Sequence, residues 1–429
     1  MSKALLIRIT AVGAGLAAFA LLFLMPASYP PTESRFREWW QAYFPTAAEQ
    51  VAQLIRLERT IESTAEPVAR PVPASFDTFL VTEELRPRVD FWKRIYTDVN
   101  SYQALIHDSH NLERIYALVD LRDEPGADQY SFDSIRSAAL RVLKRYRDHL
   151  RFLTSSRYDP KKLVGERKRL YNLMHARGGV KKYRGADQQV RVQRGLRDML
   201  KTSIIRSGLY FPTYLEIFEE LKLPPELTLL PHLESAFSYE AQSYAGAVGI
   251  WQLTKVAARP HLHINSAVDE RIDPWRSAEV AALLLKDNYR QLRSWPLAIT
   301  AYNQGAGSMK RAIRSLGTRE IETIIERYRS RSFGFAGRNF YPAFLAIIEV
   351  LEHFEIHYGP LPIEPALTPR RHKLKYSDTL AKICQELGIE PQELEPFNPA
   401  LRSHAYRNLA RLPRGVYLNL PPLEESSQP

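Results

Sequence analysis

The sequence is poor in cysteine and in strand-like patterns. Its only cysteine among 429 residues is Cys384, which excludes a disulfide within the chain and a cysteine-based zinc or iron–sulfur centre. Alternation of apolar and polar residues is scarce before residue 372, whereas helical spacing is common. The pattern therefore predicts a mainly α fold.

Composition and charge narrow the class of protein. Apolar residues make up 45% and charged residues 25% of the chain, as is usual for globular proteins. The net charge of +11 favours a polyanionic partner such as nucleic acid, an anionic membrane or a cell-wall polymer. Much of it lies on the outward face of a predicted helix, whose inward apolar residues are Ile135, Ala139, Val142, Leu143, Tyr146, Leu150 and Leu153. Similar apolar stripes over residues 187–223 and 278–292 predict further helices.

The first 30 residues are typical of an export signal or a signal anchor. Lys3 and Arg8 supply a positive start, and residues 9–25 follow as an apolar run broken only by Thr10 and glycines. The run is near the lower limit for a membrane-spanning helix, so cleavage and retention as a membrane anchor both stay open. Because the protein is predicted to be exported, nucleic acid is not expected as a partner.

The densest group of chemically useful residues lies between residues 223 and 307. Glu234 follows the apolar residues Leu229, Leu230 and Leu233, and burial among such residues raises the pKa of a carboxyl. A carboxylic acid that keeps its proton near neutral pH is what general-acid catalysis needs. Most glutamates are surface or capping residues, so this feature alone does not identify a catalytic group.

A second motif, G-A-V-G-I-W-Q, combines glycines with an indole and an amide. Gly246 and Gly249 allow close approach of a ligand or of a neighbouring helix. Trp251 offers a flat apolar face and Gln252 a two-way amide, which together suit an amphipathic ring such as a sugar.

A third motif, A-Y-N-Q-G-A-G at residues 301–307, repeats this combination. Tyr302 and Asn303 can hydrogen-bond both to a carboxyl and to sugar hydroxyls, and Gly305 and Gly307 follow them. A helix followed by glycine is also how an ordinary helix end looks, so each motif is weak by itself.

In this order, the three motifs resemble the catalytic domain of the soluble lytic transglycosylase (SLT) family. The stretch ESAFSYEAQSYAGAVGIWQ is most similar to the membrane-bound lytic murein transglycosylase D branch, and the resemblance covers roughly residues 76–355. It implies a mainly helical, lysozyme-like domain that cleaves peptidoglycan glycan strands in the periplasm. It also implies that the reaction needs no cofactor and no metal.

The resemblance also assigns roles to residues. Glu234 is implied as the single catalytic acid and base, with Tyr302 and Asn303 orienting it and stabilising positive charge on the sugar. The substrate-binding residues that it implies are Ser235, Gln242, Ser243, Gly246, Gly249, Trp251, Gln252, Gly305 and Tyr341. Tyr341 is a special case, because an ungapped match puts Phe340 where the family often has a tyrosine. Either Tyr341 replaces that hydroxyl or the hydroxyl is lost.

Residues 377–380 predict a helix start, and residues 416–420 alternate like a strand. With these features the C-terminal residues resemble a degenerate LysM-type carbohydrate-binding module, in which two strands flank two helices. The alternative is a structural cap that docks on the catalytic domain. The predicted segments are a signal peptide or anchor (1–30), a juxtamembrane linker (31–75), a helical N-terminal region (76–222), the lysozyme-like catalytic domain (223–357), a proline-rich linker (358–371) and the LysM-like module (372–422).

Three functions compete at this stage. The leading one is a lytic transglycosylase that leaves 1,6-anhydro-MurNAc ends. A lysozyme-like hydrolase would need a second carboxylate to activate water, and Glu240, Asp269, Glu270 and Asp273 lie nearby in the sequence. A non-catalytic scaffold that binds peptidoglycan is the third.

Overall fold

The computed structural model describes residues 70–73, 77–127 and 132–422. The predicted signal segment 1–30, and all of the predicted juxtamembrane linker 31–75 except residues 70–73, lie outside the described residues. Within the described ranges, no helix combines the length and the apolar character needed to cross a bilayer.

The described chain is mainly helical, as the sequence predicts, with two small antiparallel sheets. The helices are α1 (Arg86–Thr97), α2 (Phe132–Ser155), α3 (Gly165–Ala176), α4 (Ala186–Gln189), α5 (Arg197–Ser207), α6 (Phe211–Glu220), α7 (Leu230–Glu234), α8 (Lys255–Ala258), α9 (Pro274–Leu292), α10 (Trp295–Gln304), α11 (Ala306–Leu316), α12 (Ile321–Arg327), α13 (Phe335–Glu352), α14 (Phe354–Tyr358), α15 (Leu380–Leu387), α16 (Pro391–Leu394) and α17 (Ser403–Tyr406). The strands are β1 (Gln103–Asp108), β2 (Ile115–Asp120), β3 (Val190–Arg194), β4 (Arg370–Lys373) and β5 (Tyr417–Leu420).

The first sheet has three short strands in a region where the sequence shows little alternation. Its order is β2-β1-β3, and β3 occupies the start of a stretch that the apolar stripe predicted as helix. Strand β1 is buried at five of its six positions, so its sequence shows no alternation from which a strand could be predicted. Neighbouring residues of β1 point to opposite faces, and Leu105 enters one hydrophobic core while Ala104 and Ile106 enter another.

The buried apolar residues of the N-terminal half of the described chain belong to two separate hydrophobic cores. The larger core joins α1, α5 and α6 to the helices from α7 to α14. The smaller core lies between the sheet and helices α2 and α3. The predicted boundary between residues 222 and 223 does not separate cores, because Phe218 before it stacks on Trp251 after it, with ring centroids 5.5 Å apart.

The C-terminal unit, residues 370–422, has the order strand, two helices, extra short helix α17 and strand. It docks on the body of the protein through main-chain hydrogen bonds. The Asp269 N–H donates to the Ala400 carbonyl, and the Arg402 N–H donates to the Ala267 carbonyl, each at 2.9 Å. Val268 belongs to the core of this unit, so the contact is also apolar. The unit therefore has the docked position expected of a structural cap, and its sugar binding stays a prediction.

The predicted linker before the C-terminal unit also packs on the body. The Glu364 N–H donates to the Ile205 carbonyl at 3.1 Å, and the Leu367 N–H donates to the Leu209 carbonyl at 2.9 Å. A Cβ at Gly208 would lie 2.1 Å from the Glu364 carbonyl oxygen, so glycine is what lets the two segments approach so closely.

Candidate active site

Glu234 is the last residue of α7, and its side chain is almost completely enclosed. Only 6% of the residue is exposed, and Leu229, Leu230 and Leu233 before it are buried. Burial raises the pKa of the Glu234 carboxyl to about 8, and within the described residues no hydrogen bond or charge offsets that shift. Glu234 therefore holds its proton at neutral pH, which is the state that a general acid needs.

A tight turn follows Glu234 and fixes where its helix ends. Ala236 and Phe237 both have left-handed backbone angles, with φ of 51° and 56°. Such angles are uncommon outside glycine and persist only where the surrounding structure enforces them. The Ser235 hydroxyl supplies one constraint, since it donates to the Ile250 carbonyl at 2.7 Å. Ser235 is buried, so its hydroxyl ties the helix to the second motif rather than facing a ligand.

The second motif forms a closed loop beside this turn. Gly249 has a φ of 80°, and a Cβ there would lie 2.1 Å from the Arg271 carbonyl oxygen. Gly246 has a φ of 78°, but the space around its missing Cβ is open. Gly249 is thus required by a neighbouring main chain rather than by a ligand, whereas Gly246 is required only by its backbone angle.

Two polar side chains of the same loop form hydrogen bonds to main-chain groups nearby in the chain. The Gln252 Nε2 donates to the Ala241 and Gly249 carbonyls at 3.0 and 2.9 Å, which leaves its carbonyl oxygen for other partners. The Ser243 Oγ accepts from the Ala247 N–H at 2.9 Å. These contacts shape the loop, and binding of substrate by either side chain stays a prediction.

Trp251 corrects the expectation that its indole presents a face to the sugar. The residue is fully buried, and its ring packs against Phe218 and Tyr214 at centroid distances of 5.5 and 5.3 Å. The flat apolar surface that suggested a sugar platform is instead used by the core. Only the Trp251 main chain takes part in the site, through its carbonyl.

Tyr302 on α10 connects the third motif to the other two. Its hydroxyl donates to the Trp251 carbonyl at 2.7 Å. Burial raises the pKa of Tyr302 well above its ordinary value, and the neighbouring Glu234 carboxylate adds to the effect. Because its proton is committed to Trp251, the Tyr302 oxygen can only accept toward the site, a polarity that favours positive charge nearby.

Asn303 and Gly305 complete the third motif at the end of α10. Asn303 is buried, and its Oδ1 accepts from the Gln304 Nε2 at 2.6 Å. Gly305 ends the helix with a φ of 79°, and its N–H donates to the Ala301 carbonyl. The chain then turns directly into α11, so the glycine sets the angle between two helices.

Tyr341 lies on α13 and is 3% exposed. Burial raises its pKa, and the neighbouring charge that contributes is the Glu322 carboxylate. Glu234 makes the corresponding contribution at Tyr302. Tyr302 thus lies near the candidate acid, whereas the carboxylate near Tyr341 is a different one. The role of Tyr341 as a substitute for the family tyrosine stays a prediction.

The part of the chain that carries this site is similar to a known protein family. Residues 220–325 match the family model of the transglycosylase SLT domain, and this range holds all three motifs. This part of the chain is similar to the SLT domain. The relatives include membrane-bound lytic murein transglycosylase D from two Escherichia coli strains, each 30% identical over 185 residues, which is 42% of this chain and 40% of the relative.

A further relative of the chain is a putative tributyltin chloride resistance protein from an Alteromonas species. It is 35% identical over 110 residues, which is 25% of this chain and 53% of that protein. The chain therefore spans about two fifths to one half of the length of the curated relatives that it matches.

Three of the four carboxylates near Glu234 in the sequence form structural hydrogen bonds. Asp269 accepts two hydrogen bonds from the Arg271 guanidinium at 2.9 and 2.8 Å. Glu270 accepts from the His263 N–H, and Asp273 caps α9 by accepting from the N–H groups of Trp275 and Arg276. Glu240 is exposed. None of these contacts places a second carboxylate to activate water at Glu234.

Arg271 has a structural role that its position in the sequence did not indicate. The buried Arg271 Nη1 donates to the Gly246 and Leu253 carbonyls at 2.9 and 3.2 Å, so it holds both sides of the second motif. Burial alone would raise the pKa of its partner Asp269, but Arg271 and Arg402 together outweigh burial and keep that pKa below its ordinary value. Asp269 in turn accepts from the Arg402 Nη2 of the C-terminal unit at 2.8 Å.

Exposed tyrosines beside the second motif were also missed. Tyr239 and Tyr244 flank the exposed Gln242 and are themselves exposed, at 38% and 50%. The exposed rings of these two tyrosines offer the flat surface that the buried Trp251 does not. Their signal was present in the sequence as two tyrosines in SYEAQSY.

Proposed function

We propose that the protein is a peptidoglycan lytic transglycosylase that cleaves the β-1,4 bond between MurNAc and GlcNAc and leaves 1,6-anhydro-MurNAc ends. The observation that carries the proposal is Glu234, whose buried carboxyl has a pKa of about 8 inside a domain that matches the SLT family. The names of the Escherichia coli relatives support murein as the substrate.

The first step uses the proton of Glu234. The carboxylic acid protonates the oxygen between the two sugars, the bond from that oxygen to the MurNAc anomeric carbon breaks, and GlcNAc leaves with a free 4-hydroxyl. Positive charge then develops at the anomeric carbon. We assign the stabilisation of this charge to the Tyr302 oxygen, which can only accept because its proton is donated to the Trp251 carbonyl.

The second step uses the same group as a base. The Glu234 carboxylate removes the proton from the C6 hydroxyl of the MurNAc sugar, whose oxygen bonds to the anomeric carbon. The product is the 1,6-anhydro ring, Glu234 regains its proton, and no water is consumed. One carboxylate therefore serves both steps, in contrast to the pair that hydrolytic glycosidases use. The structural roles of Asp269, Glu270 and Asp273 support this single-carboxylate route.

The surrounding residues divide between positioning and substrate contact. Ser235, Gly249 and the Trp251 carbonyl position Glu234 and Tyr302, and we assign Asn303 to the orientation of the acid. We assign contact with the glycan strand to Gln242 and to the tyrosines 239 and 244, which are exposed. We add the carbonyl oxygen of the buried Gln252, because the loop hydrogen bonds of this amide use its Nε2.

Export to the periplasm, with the first 30 residues as a signal or an inner-membrane anchor, belongs to the same proposal. The basic, apolar N-terminal sequence supports it, as does the name of the membrane-bound relatives.

The decisive experiment is mass spectrometry of the products from purified murein sacculi. The parent protein is run beside Glu234→Gln and beside Glu219→Gln, which makes the same substitution at an exposed position on α6. We expect 1,6-anhydro-MurNAc products from the parent and from Glu219→Gln, and none from Glu234→Gln. Loss of general-acid catalysis alone slows such reactions by about 10²–10⁴.

Other outcomes would each replace the proposal. Products one water heavier would identify a hydrolase, and a Glu240→Gln variant would then test the exposed nearby carboxylate. Binding of the folded parent to sacculi with no products would identify a non-catalytic scaffold. Equal products from parent and Glu234→Gln would remove Glu234 from the mechanism.

A further inference from the structure

The positive charge of the protein is concentrated in one part of the chain. Residues 132–194, called here the basic unit, contain 18 Lys and Arg against five Asp and Glu, a net charge of +13. The whole chain carries +11, so the remaining residues are slightly acidic together. The basic unit comprises α2, α3, α4 and β3 and packs in the smaller hydrophobic core, away from the core that surrounds Glu234.

Few of these charges are neutralised within the unit. Three of its carboxylates already pair, Asp148 with Lys144, Glu166 with Arg145, and Asp187 with Arg151. The exposed basic side chains that form no ion pair within the described residues are Arg141, Arg157, Lys161, Lys162, Arg167, Arg169, Arg177, Lys181, Lys182 and Arg184. A concentration of uncompensated charge attracts an anionic surface, provided the surface comes within about 8–10 Å at physiological salt.

The apolar side chains on the surface of the basic unit indicate which anionic surface it fits. Val164 is 80% exposed and follows Lys161 and Lys162 in the turn between α2 and α3. Leu140 is exposed on α2 beside Arg141 and Lys144. No aromatic side chain of residues 133–194 is among the exposed ones. Basic side chains beside exposed aliphatic side chains suit lipid headgroups and the acyl boundary. A glycan strand would instead favour exposed aromatic rings.

We propose that the basic unit docks on a membrane surface rich in anionic lipid headgroups, with the Lys161–Lys162–Val164 turn at the contact. The lysines bind headgroup phosphates, and Val164 enters the boundary between headgroups and acyl chains. The Glu234 site lies in the other core and does not take part in this contact.

Vesicle binding by the full chain tests the proposal. Partition coefficients are measured on vesicles of phosphatidylcholine alone and of phosphatidylcholine with phosphatidylglycerol, at 0.15 M and 0.5 M salt. The ratio of the partition coefficient on the mixed vesicles to that on phosphatidylcholine alone isolates the effect of charge. An apolar segment elsewhere in the chain would partition into both kinds of vesicle and cancel from this ratio. The test variant is Arg157→Gln, Lys161→Gln and Lys162→Gln together, and the control is Lys375→Gln, Arg411→Gln and Arg414→Gln in the C-terminal unit, all exposed.

We expect the ratio to fall roughly 100-fold in the test variant, as three basic residues lost near an anionic surface imply, and to change little in the control. We also expect 0.5 M salt to lower the ratio of the parent, and Val164→Ser to weaken binding to anionic vesicles severalfold. An equal fall in both triple variants would mean that net charge acts without a docking surface, and would overturn the proposal. An unchanged ratio with loss of binding to murein sacculi would assign the basic unit to the wall polymer instead.

Discussion

Glu234→Gln should make the folded protein more stable, and increasingly so as the pH rises. The carboxyl has a pKa of about 8 in the folded protein and an ordinary value of 4.5 when exposed. Between these values the unfolded chain has lost a proton that the folded chain keeps, so ionisation favours unfolding. Each pH unit in this window lowers the stability of the parent by up to about 1.4 kcal/mol, which amounts to about 3 kcal/mol at pH 7.

The glutamine variant lacks this penalty because an amide does not titrate. Below about pH 4.5 we expect the free energies of unfolding of the two proteins to differ by a constant amount. Above that pH the difference should shift in favour of Glu234→Gln, and this shift should reach its full size near pH 8. Urea denaturation of both proteins at pH 5, 6, 7 and 8.5 measures the difference in the free energy of unfolding. The slope against pH is the informative quantity, since any fixed effect of the amide cancels from it.

Glu219→Gln is the control, because its carboxyl is exposed on α6. Its difference from the parent should stay flat over the same pH range. If the Glu234→Gln difference were equally flat, the Glu234 carboxyl would ionise in the folded state as readily as in the unfolded chain. The argument for a buried general acid would then fail, whatever the activity of the variant.

Further predictions concern the pH profile, the glycine loop, Tyr302 and the C-terminal contact. The kcat/KM on soluble murein fragments should fall about tenfold per pH unit above about pH 8, since the acid form of Glu234 is lost there. Gly249→Ala should lower the free energy of unfolding by about 3 kcal/mol or more, because its Cβ meets the Arg271 carbonyl at a left-handed φ. Tyr302→Phe should lower stability by about 1–3 kcal/mol, by leaving the Trp251 carbonyl without its donor, and should also reduce kcat. Arg402→Ala should lower kcat on soluble fragments about tenfold with a smaller change in KM, because it loosens the Asp269–Arg271 support of the second motif.

Matched variants make these predictions specific. Gly246→Ala has the same left-handed φ but open space, so it should cost only about 1–2 kcal/mol, and an equal cost at both glycines would refute the clash. Arg402→Lys should restore part of the lost kcat, whereas the exposed Arg407→Ala should have no effect. A loss of kcat in Arg402→Ala that the lysine does not relieve would indicate general destabilisation instead. A pH profile with no fall up to pH 10 would contradict the raised pKa of Glu234.

The mainly helical character, several long helices and the three motifs were predictable because each has a local signal. Apolar spacing indicated α2 and α9, and the glycines after Tyr302 and Asn303 indicated the end of α10. The enclosed position of Glu234 followed from the leucines before it. Strand β1 had no such signal, because burial on both faces removes the alternation that identifies a strand.

Parts of the site were not predictable because they depend on contacts distant in the sequence. The left-handed angles of Ala236 and Phe237 are imposed by the surrounding fold, and nothing in either residue type favours them. Trp251 looked like a ligand platform because the sequence could not show that Phe218 would cover its ring. The hydrogen bond from Arg402 to Asp269 joins residues 133 positions apart.

The shared strand β1 has a consequence for how the protein unfolds. Leu105 completes one core and Ala104 and Ile106 complete the other, so the sheet is a common wall. Unfolding of the basic unit would remove strand β3 and the packing on the face of β1 that carries Ala104 and Ile106, and would so weaken the sheet whose other face closes the core around Glu234. The two halves should therefore melt in one cooperative transition, and a chain from which the basic unit has been excised should lose the stability of the Glu234 site as well.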